Sequence, residues 1–361
     1  MGGEDAAKDP FPFLLPAQPG KVHLVVSTYG AFVGKKSERL VVRERGRGGR
    51  SEVVREVPFF KLEQLTVASN GVSISSDVIS ACVEEGIPIT FLRGSGRPYA
   101  KVMSPTLLGT VAIKREQFAA YQDGRGVELA RAFAEGKIRN QMNVLRYFGR
   151  HRKRARPEDY ALLEKACGAL EEVCAQLGRV EGTKVEDVRG ELLSLEGRAS
   201  NVYWEAVGEL VSGKVEFPGR EHRGADDPLN AMLNYGYGVL YSEAWGAILL
   251  AGLEPFAGFI HADRSGKPSL VLDFVEEFRQ PVVDRPLLAM VAKGFVPRLE
   301  DGKLSVEDRR RVAGAVLARL SGTERYEGKR HRIKTIIHLQ ARRIAGFLRG
   351  EGRYRPFVAS W

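Results

Sequence analysis

The sequence predicts an α+β protein in which a small, mainly β N-terminal domain precedes a larger all-α domain. Between residues 21 and 103, short runs rich in β-branched residues alternate with Gly, Asn and charged turns. From about residue 107, apolar residues recur at three- and four-residue intervals, as in ALLEKACGALEEVCAQL (161–177). Pro105 and Gly109 punctuate the change of period. We therefore predict a β-domain over 21–103 and an α-helical domain over 104–361.

The elements of the β-domain follow from local patterns. Residues 1–20 contain four prolines, which disfavour a helix or a central strand, so this segment is expected to be a flexible leader. Ser76 and Asp77 begin a short helix, DVISACVEEG, that ends at Gly86. The predicted strands cover residues 22–26, 39–43, 52–57, 64–69, 71–75 and 87–92.

The charge of the chain favours a polyanionic partner. Its 361 residues carry 55 Lys and Arg against 45 Asp and Glu, a net charge of +10. Such residues give salt-dependent, sequence-independent binding when they neutralise phosphates. Ordinary exposed helix ends and loops are the alternative interpretation. Candidate DNA-binding residues in GRHRKRARP (149–157) are Arg150, Arg152, Lys153 and Arg154, and a second basic group extends from Arg325 to Arg343.

Membrane and disulfide classes are not supported by the sequence. It has no apolar run of 18 residues, and its first residues, MGGEDAAKDP, do not resemble a signal peptide. We therefore predict a cytoplasmic protein with no membrane partner. Cys82, Cys167 and Cys174 lack the spacing of a CxxC pair and are expected to be ordinary buried thiols.

Three residues suggest a metal site. Glu196 lies in SLEGRASNVYWEAV, and His261 and Glu276 lie in AGFIHADRSGKPSLVLDFVEEFRQPVVDRP. Two carboxylates and one imidazole suit Mg²⁺ or Mn²⁺, the cations of phosphodiester chemistry. Asp273 and Glu276 are three residues apart on a predicted helix and are expected to share one face. Helix-terminal charges and a structural histidine are the alternative interpretations.

Arginines flank this acidic group at Arg223, Arg279 and Arg285. A guanidinium at such a place binds a phosphate bidentately, or neutralises the carboxylates when substrate is absent. Asn230 and Asn234 lie four apart on one helical face and are expected to form hydrogen bonds around the site.

The order of these motifs resembles the CRISPR-associated protein one family, the metal-dependent DNA integrases of CRISPR adaptation. The resemblance extends from about Lys21 to the C-terminus. It implies that Glu196, His261 and Glu276 hold the metal, with Asp273 beside them as a further catalytic residue. The family often has aspartate at the position of Glu276, so the choice of inner acidic ligand among Asp273, Glu276 and Glu277 stays open. The motifs that carry the resemblance are EGRAS..YW (196–204), DPLNAMLNYGYGVL (227–240), GFIHAD (258–263) and DFVEEFRQPVVDR (273–285).

The resemblance also implies an activity and partners. The reaction would join the 3′-hydroxyl ends of spacer DNA to the CRISPR repeat by transesterification, with Mg²⁺ or Mn²⁺ as cofactor. The partners would be double-stranded DNA, CRISPR-associated protein two, and a second copy of the chain bound through the N-terminal β-domain. One alternative is a stand-alone structure-selective nuclease that uses the same metal site with water as acceptor. Another is a non-catalytic DNA-binding scaffold in which the acidic residues are structural.

Overall fold

The fold class predicted from the sequence is confirmed by the computed structural model. The model describes residues 13–16, 21–46, 50–93, 98–102, 111–150, 152–221, 227–300 and 302–360, with the backbone alone for 13–16 and 155. The chain divides into two compact units, Met1–Leu107 and Leu108–Trp361. Strands dominate the first unit and helices dominate the second.

Two sheets and one helix, α1 (Ser76–Glu84), form the first unit. A 3₁₀ turn, Phe59–Lys61, follows the fifth strand. The strands are β1 (Phe13–Pro16), β2 (Val22–Val26), β3 (Phe32–Lys36), β4 (Arg39–Arg45), β5 (Ser51–Pro58), β6 (Leu62–Val67), β7 (Ser73–Ile74), β8 (Ile89–Leu92) and β9 (Pro98–Val102). One sheet has the order β1-β2-β6-β8-β9, with β2, β6 and β8 parallel, and the other has the order β5-β4-β3-β7.

The apolar residues that predicted these strands pack together in one core with α1. Ser75 starts the helix, because its hydroxyl accepts a hydrogen bond from the backbone N–H of Val78 at 3.4 Å. Gly86 follows the helix with a φ of +67°, a conformation that glycine adopts without a steric cost. The fully buried core residues include Leu24, Val26, Val33, Leu40, Val42, Leu62, Leu65, Val78, Cys82 and Ile89.

Strand β1 corrects the prediction of a flexible leader over residues 1–20. It pairs antiparallel with β2, in the register Phe13↔Val25 to Pro16↔Val22. The strand lies at the edge of its sheet, where proline is tolerated because its missing N–H has no second neighbour to bond. The rest of the leader, 1–12 and 17–20, lies outside the described residues.

The second unit is helical, with two small hairpins added to the predicted all-α pattern. No helix formed by the described residues is long and apolar enough to cross a membrane. The helices are α2 (Val111–Ala120), α3 (Gly124–Gly149), α4 (Arg152–Ala155), α5 (Pro157–Leu177), α6 (Val185–Val211), α7 (Pro228–Leu250), α8 (Ser269–Val275), α9 (Arg285–Ala292), α10 (Val306–Ser321) and α11 (Ile333–Leu348). The hairpins are β10 (Leu299–Glu300) with β11 (Lys303–Leu304), and β12 (Thr323–Tyr326) with β13 (Lys329–Arg332).

The segment predicted as one helix after Asp273 is interrupted. A π-helical turn, Gln280–Asp284, lies between α8 and α9. It contains Pro281, which has no N–H with which to continue the regular helical ladder. Helix α8 itself ends at Val275, with Glu276 as its C-cap residue.

Candidate active site

Asp273 is fully buried in α8 and supports the segment that carries His261. Its Oδ2 accepts hydrogen bonds from the backbone N–H groups of Phe259 at 2.5 Å and Ile260 at 3.0 Å. Its Oδ1 accepts hydrogen bonds from the backbone N–H of His261 at 2.9 Å and from the imidazole Nδ1 at 2.7 Å. These four bonds use the acceptor capacity of the carboxylate, because each oxygen offers about two lone pairs. Asp273 therefore fits a supporting role better than that of an inner cation ligand.

The bond to Asp273 also determines how His261 faces its surroundings. Since a carboxylate accepts, Nδ1 donates, and Nε2 is the ring nitrogen that this bond does not use. The His261 side chain is 24% exposed, in contrast to the buried Asp273 behind it. The pair thus presents an oriented imidazole nitrogen of the kind that binds metal ions.

We expect the Asp273→Asn variant to lose both stability and metal affinity. The amide has one acceptor oxygen, so its NH₂ group would face the N–H donors that the carboxylate now satisfies. The free energy of unfolding should fall by roughly 2–4 kcal/mol, and Mn²⁺ affinity should fall about 10–100-fold. Urea denaturation and Mn²⁺ titration measure the two effects. Asp263→Asn, the same exchange at an exposed position two residues after His261, is the control, and equal effects in both variants would contradict the supporting role.

A lysine connects the two predicted glutamate ligands. Lys137 of α3 forms an ion pair with Glu196 Oε1 of α6, and its Nζ lies 2.9 Å from Glu276 Oε2, just after α8. Lys137 and Glu276 are both buried. Burial lowers the pKa of Lys137, but the two carboxylates outweigh this and leave the pKa raised. The ammonium is therefore charged and holds the glutamates of two separate elements together.

Arg279 completes the charge balance around Glu276. Its Nη1 lies 3.4 Å from Glu276 Oε1, and its guanidinium lies over the ring of Tyr237 at 4.9 Å and donates a hydrogen bond to the Tyr241 hydroxyl. Burial raises the pKa of Glu276, but Arg279, Lys137 and His261 outweigh burial and lower it. Glu276 is therefore a buried, ionised carboxylate. Arg279 helps to neutralise it, which is one of the two roles predicted for the flanking arginines.

The donor chemistry of Glu196, His261 and Glu276 fits Mg²⁺ or Mn²⁺. Glu276 Oε2 is buried and, within the described part of the chain, accepts no hydrogen bond of good geometry besides its ion-pair contact with Lys137. In the same described residues, no three His, Cys, Asp or Glu side chains converge closely enough to form a finished metal cluster. The residues thus supply suitable ligands, while an ammonium group contacts the carboxylate oxygens that a cation would use.

Glu277 has a different environment from its neighbour Glu276. It is fully buried and accepts hydrogen bonds from the Tyr354 hydroxyl at 2.5 Å, the Phe357 backbone N–H at 2.7 Å and Gln340 Nε2 at 2.9 Å. Burial raises its pKa to about 8, although these three hydrogen bonds lower it. Among the acidic residues left open by the sequence, the surroundings of Glu276 are those that suit a cation ligand.

The other predicted basic residues have separate surroundings. Arg285 lies over the Tyr147 ring at 4.1 Å, and Arg150 lies over the same ring at 4.6 Å. Arg285 thus stacks on an aromatic ring, and its contact with a phosphate stays a prediction. Arg223 lies outside the described residues.

The basic segment before α5 is only partly available to a ligand. Arg152 donates to the backbone oxygen of Phe148 at 2.7 Å, and so caps the end of α3. Lys153 and Arg154 are exposed, and the Lys153 ammonium lies 5.4 Å from the Tyr160 ring centroid. The exposed pair is therefore better suited than Arg152 to contact a polyanion.

Sequence reasoning missed Lys137 and Arg220. Lys137 lies four residues after the buried Phe133, on the apolar face of α3, and this spacing was the available signal. Arg220 donates to Asn230 Oδ1 and Asn234 Oδ1, each at 2.7 Å, and so accounts for the paired asparagines that the sequence analysis noted. Its guanidinium also lies 5.3 Å from the Tyr237 ring centroid.

A buried acid adjoins the site and predicts a pH dependence. Asp284 accepts hydrogen bonds from the hydroxyls of Tyr237 at 2.5 Å and Tyr203 at 2.9 Å. Burial raises the pKa of Asp284 from 3.8 to about 6, although the two tyrosines, Arg220 and Arg279 lower it. The folded protein therefore holds this proton more tightly than the unfolded chain does. The resulting stabilisation is complete below the unfolded pKa and is lost as the pH rises through about 6.

We expect the Asp284→Asn variant not to show this loss of stability with rising pH. Between pH 4 and pH 7, the unfolding free energy of the wild type should fall relative to the variant by up to about 3 kcal/mol. Urea denaturation at several pH values tests the prediction. Parallel pH profiles for the two proteins would contradict it.

Taken together, the helical unit brings carboxylates, an oriented imidazole and arginines into one polar site, as in proteins that act on phosphodiesters. Comparison with known proteins identifies the family. The family model "CRISPR associated protein Cas1" matches residues 24–316. The chain belongs to the Cas1 family.

Relatives and solved structures agree with this assignment. The chain is 37% identical over 352 residues to "CRISPR-associated endonuclease Cas1 1" of Archaeoglobus fulgidus, covering 94% of this chain and 100% of that one. A casposase bound to an integration product has the same fold, with a TM-score of 0.78 at 20% identity and 92% coverage of both chains. A chain of a Cas6-RT-Cas1–Cas2 complex matches with a TM-score of 0.73 at 18% identity, over 96% of this chain and 37% of that chain.

Proposed function

We propose that this protein is a metal-dependent DNA endonuclease and integrase of CRISPR adaptation, which joins spacer 3′-hydroxyl ends to the CRISPR repeat. The observation that carries the proposal is an imidazole, His261, supported by Asp273, together with two glutamates, Glu196 and Glu276, that Lys137 joins, in a member of the Cas1 family. The 37% identity to a named CRISPR-associated endonuclease supports the activity.

In the proposed mechanism, Glu196, His261 and Glu276 would hold Mg²⁺ or Mn²⁺. A divalent cation bound there would supply Lewis-acid polarisation of the phosphodiester and stabilise the charge of its transition state. Asp273 bonds His261 at Nδ1 and fixes the direction of the ring, so that Nε2 would be the nitrogen that contacts the cation.

The bond changes are balanced between the two DNA molecules. The spacer 3′-oxygen forms a new bond to the repeat phosphorus and gives up its proton. The former bond from that phosphorus to the repeat's own 3′-oxygen breaks, and the released oxygen is protonated. No covalent bond between protein and DNA is required. With water in place of the spacer 3′-hydroxyl, the same site would perform hydrolysis, which is the stand-alone nuclease alternative.

Basic groups outside the ligand set would hold the DNA. Two of the described candidates for phosphate contacts are the exposed Lys153 and Arg154. The other two are Arg150 and Arg285, which both stack on the Tyr147 ring. Arg279 is proposed to exchange part of its contact with Glu276 for a substrate phosphate.

Two protein partners are also proposed. The match to a chain of a complex that contains Cas2 supports Cas2 as a partner. A homodimer is proposed to form through the first unit, where Tyr29 and Phe60 are 80% and 67% exposed.

A strand-transfer assay tests the proposed function. It combines a labelled spacer-like duplex, a plasmid that contains the repeat, and Mn²⁺, Mg²⁺ or a chelator, with and without purified Cas2. We expect joined product with either metal and none with the chelator. A duplex with 3′-deoxy ends is the control, since it removes the attacking oxygen. Cleavage without joining would support the stand-alone nuclease. Joining or cleavage that continues in the presence of the chelator would refute the metal site.

A further inference from the structure

Lys137 is buried against the two glutamates that the proposed function assigns to a metal ion. It lies in the middle of α3, with its side chain only 9% exposed. Its Nζ forms ion pairs with Glu196 Oε1 and Glu276 Oε2, two oxygens from different elements of the second unit. A single ammonium group therefore contacts one oxygen from each carboxylate.

The charge count explains why such a lysine is needed. Two carboxylates that share a small, poorly hydrated space repel each other unless a cation lies beside them. Lys137 and Arg279 supply two positive charges for the negative charges of Glu196 and Glu276. A divalent cation brought to the same oxygens would add two more positive charges. The ammonium and the divalent cation would then repel each other.

We infer that Lys137 is an internal counter-cation that competes with the divalent metal for Glu196 and Glu276. It keeps the carboxylates paired in the metal-free protein and gives up at least one of them when the metal binds. This inference rests on the proposed function, which makes these glutamates metal ligands. It assigns to Lys137 a role in setting metal affinity, in addition to its structural role in joining α3 to α6.

The consequence is that removing the ammonium has opposite effects on two properties. Without Lys137, Arg279 alone faces the two carboxylates, so the metal-free protein keeps one uncompensated negative charge and unfolds more easily. The same variant binds metal more tightly, because no internal cation has to be displaced. A residue that only joined helices would lower stability equally with and without metal. A residue that helped to hold the metal site would lower metal affinity when removed.

The test compares the full chain with its Lys137→Met variant, using Mn²⁺ alone as the probe. Free Mn²⁺ is measured by electron paramagnetic resonance during titration, and thermal unfolding is recorded with Mn²⁺ and with a chelator. We expect the dissociation constant for Mn²⁺ to fall on the order of tenfold in the variant. A nearby charge commonly shifts a pKa by about one unit, which corresponds to a tenfold change in an equilibrium constant. We also expect a lower melting temperature with the chelator and a larger increase on adding Mn²⁺.

Three further variants make each outcome decisive. Arg139→Met removes the same charge from the exposed side of α3 and should leave Mn²⁺ affinity unchanged. Lys137→Gln keeps donor groups without the charge and gives the affinity measurement if the methionine variant does not fold. Glu276→Gln should lose Mn²⁺ binding. Suppose that Glu276→Gln loses Mn²⁺ binding and that both Lys137 variants bind Mn²⁺ no more tightly than the wild type does. The inference about Lys137 is then wrong, and the proposed metal site stands. If Glu276→Gln binds Mn²⁺ normally, the proposed metal site itself is wrong.

Discussion

Strand joining by the Glu276→Gln variant is expected to fall at least about 10³-fold, because metal-assisted stabilisation of a phosphodiester transition state contributes several kcal/mol. Glutamine keeps the shape of the side chain and removes its charge. Glu276 is 3% exposed, and Arg279, Lys137 and His261 lower its pKa against the effect of burial. The wild-type side chain is therefore a charged carboxylate, and the variant loses that charge at a buried position. The change acts on the cation ligand more than on packing.

The comparison with an exposed glutamate separates this effect from general loss of charge. Glu209 lies on the same helix as Glu196 and is exposed, so Glu209→Gln should join strands at the wild-type rate. Joining is measured as initial rate per folded enzyme, with the folded fraction obtained from circular dichroism. Wild-type joining by a folded Glu276→Gln variant would exclude Glu276 as a metal ligand. A joining defect matched by a loss of folded protein would show that its role is structural.

Much of the β-domain was predictable because its information is local, although β3 and β9 were not predicted. Strand β2 coincides with the predicted 22–26, and the helix begins at Ser76 as expected, since β-branched runs and a capping serine act over a few residues. Strand β1 was missed because proline disfavours interior strands but is tolerated at a sheet edge. Edge position is a property of the assembled sheet, and no pattern within residues 1–20 encodes it.

The candidate site was predictable in residue type and less so in arrangement. His261 and Glu276 were singled out by sequence, and the structure gives them surroundings that suit ligands. The position of Asp273 behind the imidazole depends on the chain path after Gly258, where a Cβ would lie 2.7 Å from Asp273 Oδ2. Lys137 was overlooked because lysines on helices are usually exposed, and its two partners come from distant parts of the sequence.

Glu276 and Glu277 are adjacent in the chain but have different partners. Glu276 contacts Lys137, whereas Glu277 accepts hydrogen bonds from the chain end. That chain end, residues 353–360, is a strap without helix or strand that hydrogen bonds anchor in the second unit. Asn140 donates hydrogen bonds to the backbone oxygens of Glu277 and Phe357, each at 2.8 Å. The strap and the site thus share the short segment that contains both glutamates.

The Glu277→Ala variant is expected to be the least stable of the single substitutions considered. It would leave the Tyr354 hydroxyl, the Phe357 N–H and Gln340 without their acceptor and would create a cavity in a buried place. Together these effects should lower the free energy of unfolding by roughly 4–5 kcal/mol. The Phe278–Phe357 stack, with ring centroids 5.3 Å apart, should loosen with it. Urea denaturation measures the loss.

Glu277→Gln distinguishes the shape of this side chain from its charge. Burial raises the pKa of Glu277 to about 8, so the carboxyl group is largely protonated at pH 7 and a neutral amide is a close replacement. The glutamine variant should therefore lose only about 1 kcal/mol, and its joining rate per folded enzyme should exceed that of the alanine variant. Equal stability of the two variants would contradict the anchoring role of Glu277. Because Glu276 is the adjacent residue, a strap released by alanine should also weaken Mn²⁺ binding, which connects the anchoring of the chain end to the geometry of the proposed metal site.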